Sequence, residues 1–393
     1  MKLKVTDGVA VIPDGVTSIE PSEFEGCTDL TKAVIPNSVT SIGRAAFAGC
    51  TSLESIVLPN SISFIGVNAF RQCRSLKKVE VPAGVGNIAS GIFSQCTSLE
   101  EAVIPGAQTI GSGAFSGCSS LENLDIPDTV TNIGSAAFVG CRSLRRMFVP
   151  GSTVSIAANA FRSCSELENV ILGDGVTSLG KGIFRDCTRL ADIALPGSVV
   201  EVGETAFKGC TSLGSITLPR GVASLGSHAF EGCTELKNVA LPDGLSTIET
   251  GAFTGCSELA HVTIPHGVSQ IDDYAFRGCG CLRSVELPDS LTSIGREAFG
   301  QCKQLESIAI PDGVFEIDDY AFRGCSCLRS VELPDSVTSI GYGAFEQCKQ
   351  LENIVIPEGV SQIGSQAFRG CSCLRSVELP DSVKSIGDLE LEQ

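Results

Sequence analysis

Three kinds of residue in this sequence could do chemistry, and the spacing of each tests the idea. Cysteine comes first, as the C-x-C pairs Cys279/Cys281, Cys325/Cys327 and Cys371/Cys373. Such thiolates ligate zinc when a second pair or a histidine completes a tetrahedron. Equivalent pairs here are 46 residues apart, two steps of a 23-residue repeat. Stacked coils would hold them about 10 Å apart, and no histidine shares their register, so no single ion could collect four ligands. Cys281, Cys327 and Cys373 stand where other copies carry polar residues such as Asp29 or Ser52. Partial exposure is expected of them, and with it intermolecular disulfides in air. Next are the vicinal carboxylates Asp272-Asp273 and Asp318-Asp319, a pattern open to calcium. They precede Ala-Phe, where other copies have Gly-Ser or Gly-Arg. Asp is a favoured helix N-cap, and capping is the role expected. Last, His228, His261 and His266 meet no recurring Ser, Cys or Asp within their own coils, so no catalytic triad is expected. The chain reads as non-enzymatic, with no metal or cofactor.

What positions all of these is a repeat. The segment Leu328 to Cys348, LRSVELPDSVTSIGYGAFEQC, recurs along the chain as L-x-x-V-x-L-P-x-x-V-x-x-I-G-x-x-A-F-x-x-C-x-x. Its proline stands at Pro13, Pro36, Pro59 and onward to Pro357 and Pro380, with Gly173 in the one vacancy. Every step is 23 residues except Pro105 to Pro127, which is 22. A fixed period of this length marks a solenoid, so the 393 residues are expected to form one elongated domain of about seventeen coils, the first and last incomplete. In the last third RGCGCLRSVELPDS and RGCSCLRSVELPDS start at Arg277, Arg323 and Arg369, the trace of a doubled two-coil unit.

Composition narrows the partners. A net charge of −17 should repel nucleic acid and anionic membrane. No apolar run is long enough to span a bilayer, and MKLKVTDGVAVIPDG does not read as a signal peptide. Sixteen of the nineteen cysteines share one template position, three residues after the repeat phenylalanine. Residues stacked at about 5 Å with parallel Cα–Cβ vectors are too far apart for a disulfide. A buried ladder of small reduced hydrophobes is expected.

Within a coil the apolar period changes. L-x-x-V-x-[LI]-P alternates and is rich in β-branched residues, so it predicts a short strand, with copies one coil apart forming a parallel sheet. A turn and a second apolar pair, such as Val337 and Ile340, cross to the other side of the coil. A-F-x-x-C-x-x-L, as in Ala344, Phe345, Cys348 and Leu351, has helical spacing and predicts a short helical turn. Sixteen of the nineteen phenylalanines fall in one column, and replacing a central one such as Phe207 by Ala should cost about 3 to 5 kcal/mol. The start places polar Asp7 where the first leucine belongs, a candidate cap. The finish breaks pattern at DLELEQ, with Leu391 where phenylalanine is due.

This pattern resembles the BspA-like class of leucine-rich repeats, whose copies carry L-P after the strand and I-G-x-x-A-F-x-x-C in the returning arm. The match runs from about Gly8 to Gly387. It departs from the wider leucine-rich superfamily in lacking the asparagine after the strand, so no asparagine ladder is assumed. The resemblance implies a right-handed, curved α/β repeat solenoid, with a parallel sheet on one face and short helical turns on the other. It also implies adhesion or recognition at the cell surface or in secreted form, with a protein or glycan as partner. A cytoplasmic scaffold is the alternative, in keeping with the absence of a leader sequence and of N-x-[ST] sequons.

Recognition would fall to the outward strand positions. β-Branched residues there follow from strand propensity alone. Arg145, Arg146 and Phe148 are different: they put two guanidinium groups and an exposed aromatic on one strand, beside Asn169 and Ile171 of the next. Arginine and aromatic residues anchor protein interfaces, and these five are the candidate partner-binding residues.

Overall fold

The computed structural model describes residues 4–387, so the expectation for Leu391 lies outside the described residues. The chain divides into two compact units between Ser198 and Val199. Each is a parallel β-solenoid built from one kind of coil.

In the first unit, Val9–Val11, Lys32–Val34, Ser55–Ile56, Lys78–Glu80 and Glu101–Val103 pair in parallel, one coil apart. Their middle or inward residues Ala10, Ala33, Ile56, Val79 and Ala102 are buried, as strand alternation requires. Arg146–Val149 and Asn169–Leu172 form a further parallel pair. The second apolar segment builds a sheet of its own, which the apolar pattern did not announce. Ser18–Ile19, Ser41–Ile42 and Phe64–Ile65 pair in parallel, as do Asn87–Ile88, Thr109–Ile110, Asn132–Ile133 and Ser155–Ile156. The polar start is indeed a cap: Val5–Thr6 folds back antiparallel on Val9–Val11 through Asp7 and Gly8, at φ 52° and 75°. Asp-Gly suits this two-residue hairpin, which shields the first parallel strand.

The second unit repeats the scheme. One ladder of seven two-residue strands runs from Thr247–Ile248 to Ser385–Ile386. On the other side Ser215–Thr217 pairs with Asn238–Ala240, His261–Thr263 with Ser284–Glu286, and Ser307–Ala309 with Ser330–Glu332 and then Asn353–Ile354.

The expected helical turns are not there: no helix occurs among the described residues. In the arm around Phe47, residues Ala45, Phe47 and Gly49 donate to the carbonyls of Val67, Ala69 and Arg71 in the next coil at 2.9, 2.8 and 2.7 Å. The intervening Ala46, Ala48 and Cys50 donate three residues back along their own chain. Positive φ at Ala45 (53°) and Gly49 (75°) breaks any helix twice per coil. The apolar spacing is real, but tight turns produce it. Coils spaced at about 4.8 Å leave no room to stack helices about 10 Å across. The described residues make about sixteen turns rather than seventeen, because the arm of the last copy falls beyond residue 387.

Inward positions form ladders. Phe115, Phe138 and Phe161 are fully buried and stack at 5.5 and 5.3 Å between ring centroids. The cysteine column is buried from Cys50 onward, and its thiols do more than fill space. Cys50 Sγ donates to the Phe24 carbonyl one coil earlier at 3.1 Å, Cys141 to Phe115 at 3.3 Å and Cys325 to Phe299 at 3.2 Å. A small side chain carrying a weak donor fits this site better than alanine or valine. Gly173 replaces proline for a physical reason as well. Its N–H donates to the Val149 carbonyl at 2.9 Å, and a Cβ there would overlap the backbone of Gly151.

Candidate functional site

The separate strand pair Arg146–Val149 and Asn169–Leu172 of the first unit brings together four of the five candidate residues in register, Arg146 opposite Asn169 and Phe148 opposite Ile171. Met147, Val149, Val170 and Leu172 point inward and are buried, which forces their neighbours out. Phe148 is 51% exposed and Ile171 55%. Arg145 sits just ahead of the strand, exposed, with its carbonyl accepting the N–H groups of Glu168 and Asn169 at 2.9 and 3.2 Å. Backbone bonds therefore fix the coil while the side chains stay available.

Charge is unevenly matched around this patch. Arg189 binds both Glu166 at 2.6 Å and Glu168 at 3.1 Å. Arg142, Arg145 and Arg146 form no ion pair among the described residues. Arg142 is not among the five candidate residues. Its signal was there: the residues one coil away, Ser119 and Ser165, carry no charge. In the six-stranded sheet of the same unit Val34, Val57 and Val103 are exposed at the corresponding template position, Val57 at 80%. Two shallow concavities of about 460 and 510 Å3 share Glu101 and Val103 there.

The other candidates resolve into structure. Burial is the main cause that pushes the Cys118, Cys164 and Cys325 thiols up to about 12, a state unsuited to ligation or nucleophilic attack. Cys281 and Cys327 are half-buried and Cys373 is exposed, in line with the partial exposure expected. Asp273 and Asp319 do not cap helices, since none forms; each accepts a backbone N–H of the next coil instead. Asp273 Oδ1 accepts the Arg296 N–H at 2.8 Å, and Asp319 Oδ1 accepts that of Tyr342 at 2.7 Å, each one coil on. His228 Nδ1 lies 2.9 Å from Glu231 Oε2, which also takes Lys208 at 2.7 Å. His261 Nδ1 and Ser284 Oγ meet at 3.2 Å across paired strands, an open cross-strand contact. No group of three or more His, Cys, Asp or Glu able to hold a metal occurs among the described residues.

Comparison with known proteins agrees with the coil geometry. No curated protein sequence matches the chain. Among solved structures, a leucine-rich repeat protein of Bacteroides ovatus superposes with a TM-score of 0.66 at 29% identity, over 83% of this chain and 78% of that one. A leucine rich cell surface protein of Faecalibacterium prausnitzii is 26% identical over 95% and 91% of the two chains, with a TM-score of 0.46. The pneumococcal vaccine antigen PcpA is 18% identical over 98% and 90%, with a TM-score of 0.48. Leucine-rich repeat proteins are typically protein-interaction modules. The model of the BspA type leucine rich repeat region in six copies matches residues 9–108, 103–210, 177–306 and 292–392, and the chain belongs to that family.

Proposed function

We propose that this chain is a non-enzymatic interaction module, exposed at the cell surface or secreted, that takes a partner protein on the strand pair Arg146–Val149 and Asn169–Leu172 of its first unit. The observation that carries the reading is the exposed pair Phe148 and Ile171, registered side by side on strands whose alternate residues are fully committed to the core. Arg145, Arg146 and Asn169 frame this apolar centre with hydrogen-bond donors. An aromatic anchor ringed by guanidinium groups is the composition from which interface hot spots are built. The adhesion role follows from the family resemblance and belongs to the same proposal.

Cross-linking mass spectrometry with a panel of purified matrix proteins, cell-surface proteins and glycans tests it, using wild type and Phe148→Asp. The expected result is a protein partner whose cross-links fall between residues 142 and 171 and are lost in the variant. Cross-links confined to other coils, or capture indifferent to the substitution, would remove the patch from the account.

A further inference from the structure

Three cysteines of the second unit stand outside the buried ladder. Cys281 and Cys327 are half-buried and Cys373 is exposed, at the corner between the returning arm and the next strand. Their amides are held alike, donating to the carbonyls of Ser257, Lys303 and Lys349 one coil earlier at 3.0, 3.1 and 3.1 Å. Each is separated from the next by two coils, about 9.6 Å at a strand spacing of about 4.8 Å, which is beyond the reach of a disulfide. The nearby Cys279, Cys325 and Cys371 are buried and donate to the carbonyls of Phe253, Phe299 and Phe345. Within the unit, therefore, no disulfide is open to the three outer thiols, and a partner must come from outside it.

The cysteines alternate with Gln304 and Gln350 in one column. Both residue types pair with themselves, cysteine through a disulfide and glutamine because its amide both donates and accepts. One residue earlier in the chain, on one flank of the column, stand Lys303 and Lys349; two residues later, on the other flank, stand Glu306 and Glu352. All four are exposed, and none has an ion pair among the described residues. In a second copy turned about a two-fold axis that runs along the column, each coil meets its equivalent and the flanks change places. Glu306 then faces the partner's Lys303, and Glu352 the partner's Lys349. An antiparallel copy instead sets each flank against itself, Glu306 against the partner's Glu352 and Lys303 against the partner's Lys349, which repel. The charges thus select the parallel arrangement. One coil before Cys281 the exposed Glu258 would meet its own copy, and the contact ends there.

We propose that the corner carrying Cys281, Cys327 and Cys373 is an interface between two copies of this chain, which lie parallel and are joined by disulfides between equivalent cysteines. The oxidant is a small-molecule disulfide of the glutathione disulfide class. The Cys327 thiolate attacks one of its sulfurs and releases one glutathione thiolate. The second copy's Cys327 thiolate then attacks the Cys327 sulfur of the mixed disulfide and releases the other. Each link thus takes a pair of electrons from the two protein thiols, which also give up their protons, and leaves two molecules of reduced glutathione. Because the pairing is two-fold, it closes at the dimer. This surface belongs to the second unit and the Phe148 patch to the first, so either can fail without the other.

The full chain, incubated with glutathione disulfide and run on a non-reducing gel, should appear as a dimer that returns to monomer on reduction. Peptide mapping should find Cys281, Cys327 and Cys373 each linked to its own equivalent. Glu306→Lys with Glu352→Lys should slow dimer formation by about tenfold at low salt, although it lowers the net charge that keeps two copies apart. Adding Lys303→Glu and Lys349→Glu should restore the rate, since the flanks then match again. Thermal melts of these variants should equal wild type, because the changed groups face outward. Cys327→Ser should still dimerise through Cys281 and Cys373. Links between Cys281 and Cys373 would mean antiparallel pairing and would overturn the proposal. So would a monomer carrying only glutathione adducts, a ladder of higher oligomers, or a rate indifferent to the charge changes.

Discussion

Raising the pH should unfold this protein abruptly, because its core is lined with thiols that cannot ionise in place. Burial is the main cause that pushes Cys118, Cys164 and Cys325 up to about 12, against about 8.5 for a thiol in the unfolded chain. The folded state thus keeps a proton that the unfolded state gives up. Stability from each thiol is intact below about pH 8.5 and is lost as pH rises from there towards 12, by about 1.4 kcal/mol per pH unit. Two pH units then cost about 2.7 kcal/mol per thiol, or about 8 kcal/mol for these three. That is comparable to the whole stability of a typical domain, about 5 to 15 kcal/mol. Other column members such as Cys141, Cys279 and Cys348 are raised too, by burial and then by their cysteine neighbours. The assay is an alkaline titration of reduced protein, reading thiolate absorbance and circular dichroism together. Apart from the four accessible thiols of Cys27, Cys281, Cys327 and Cys373, thiolates should appear in one cooperative step that coincides with loss of the sheet signal. A gradual thiolate rise centred near pH 9, with the sheet intact, would show that the column is solvated and would refute the ladder.

Phe138→Ala should destabilise the first unit by about 3 to 5 kcal/mol in a urea melt, because the rings of Phe115 and Phe161 stack on it and leave a void open at its place. Phe148→Ala, on an exposed ring, should cost less than about 1 kcal/mol, and equal losses would sink the assignment of inward and outward columns. Gly173→Pro restores the repeat consensus yet should lower stability by more than about 2 kcal/mol, since it removes the N–H bond to Val149 and drives atoms into the Gly151 backbone; a raised Tm would contradict the close approach. A thiol reagent should modify at most four cysteines in the native protein, Cys27, Cys281, Cys327 and Cys373, and all nineteen after denaturation. Fast labelling of Cys141 in the native state would be incompatible with the fold.

The parts of the fold that depend on one-dimensional periodicity are legible in the residues alone. The proline column, the phenylalanine ladder and the strand before each proline follow from a period of 23 and an alternation of two. What stays hidden depends on contact between coils. Ala344, Phe345, Cys348 and Leu351 have helical spacing in the sequence, but the stacking distance selects turns that bond to the next coil. The spacing of apolar residues cannot report where a backbone N–H goes. The same limit conceals the thiol bond of Cys141 to Phe115 and the second sheet at Ser41–Ile42. The Asp7-Gly8 hairpin is readable from its dipeptide, although only a cap without a stated form was expected there. At the candidate site, the register of Phe148 with Ile171 follows directly from the period. The drawing of Glu166 and Glu168 towards Arg189 does not, because it depends on rotamers.

In a molecule built this way, function is confined to the columns that stacking leaves unconstrained. Every inward position answers to a copy of itself in the coils on either side, so a change there is felt by both neighbours. Outward positions answer only to solvent and to what binds. In the first unit the last outward residue before the proline position is large and apolar at Val11, Val34, Val57, Val103, Phe148 and Ile171, and is Glu80, Asp125 or Ala194 in the other three copies. In the second it reads Thr217, Ala240, Thr263, Glu286, Ala309, Glu332 and Glu378, with Val355 the one large apolar exception. Strand propensity acts alike on both units and cannot produce that difference. Solubility would favour the polar set throughout. The concentration of large apolar side chains, exposed, in the first unit therefore argues for a partner that covers them. A design that repeats one coil so strictly makes each departure from it informative.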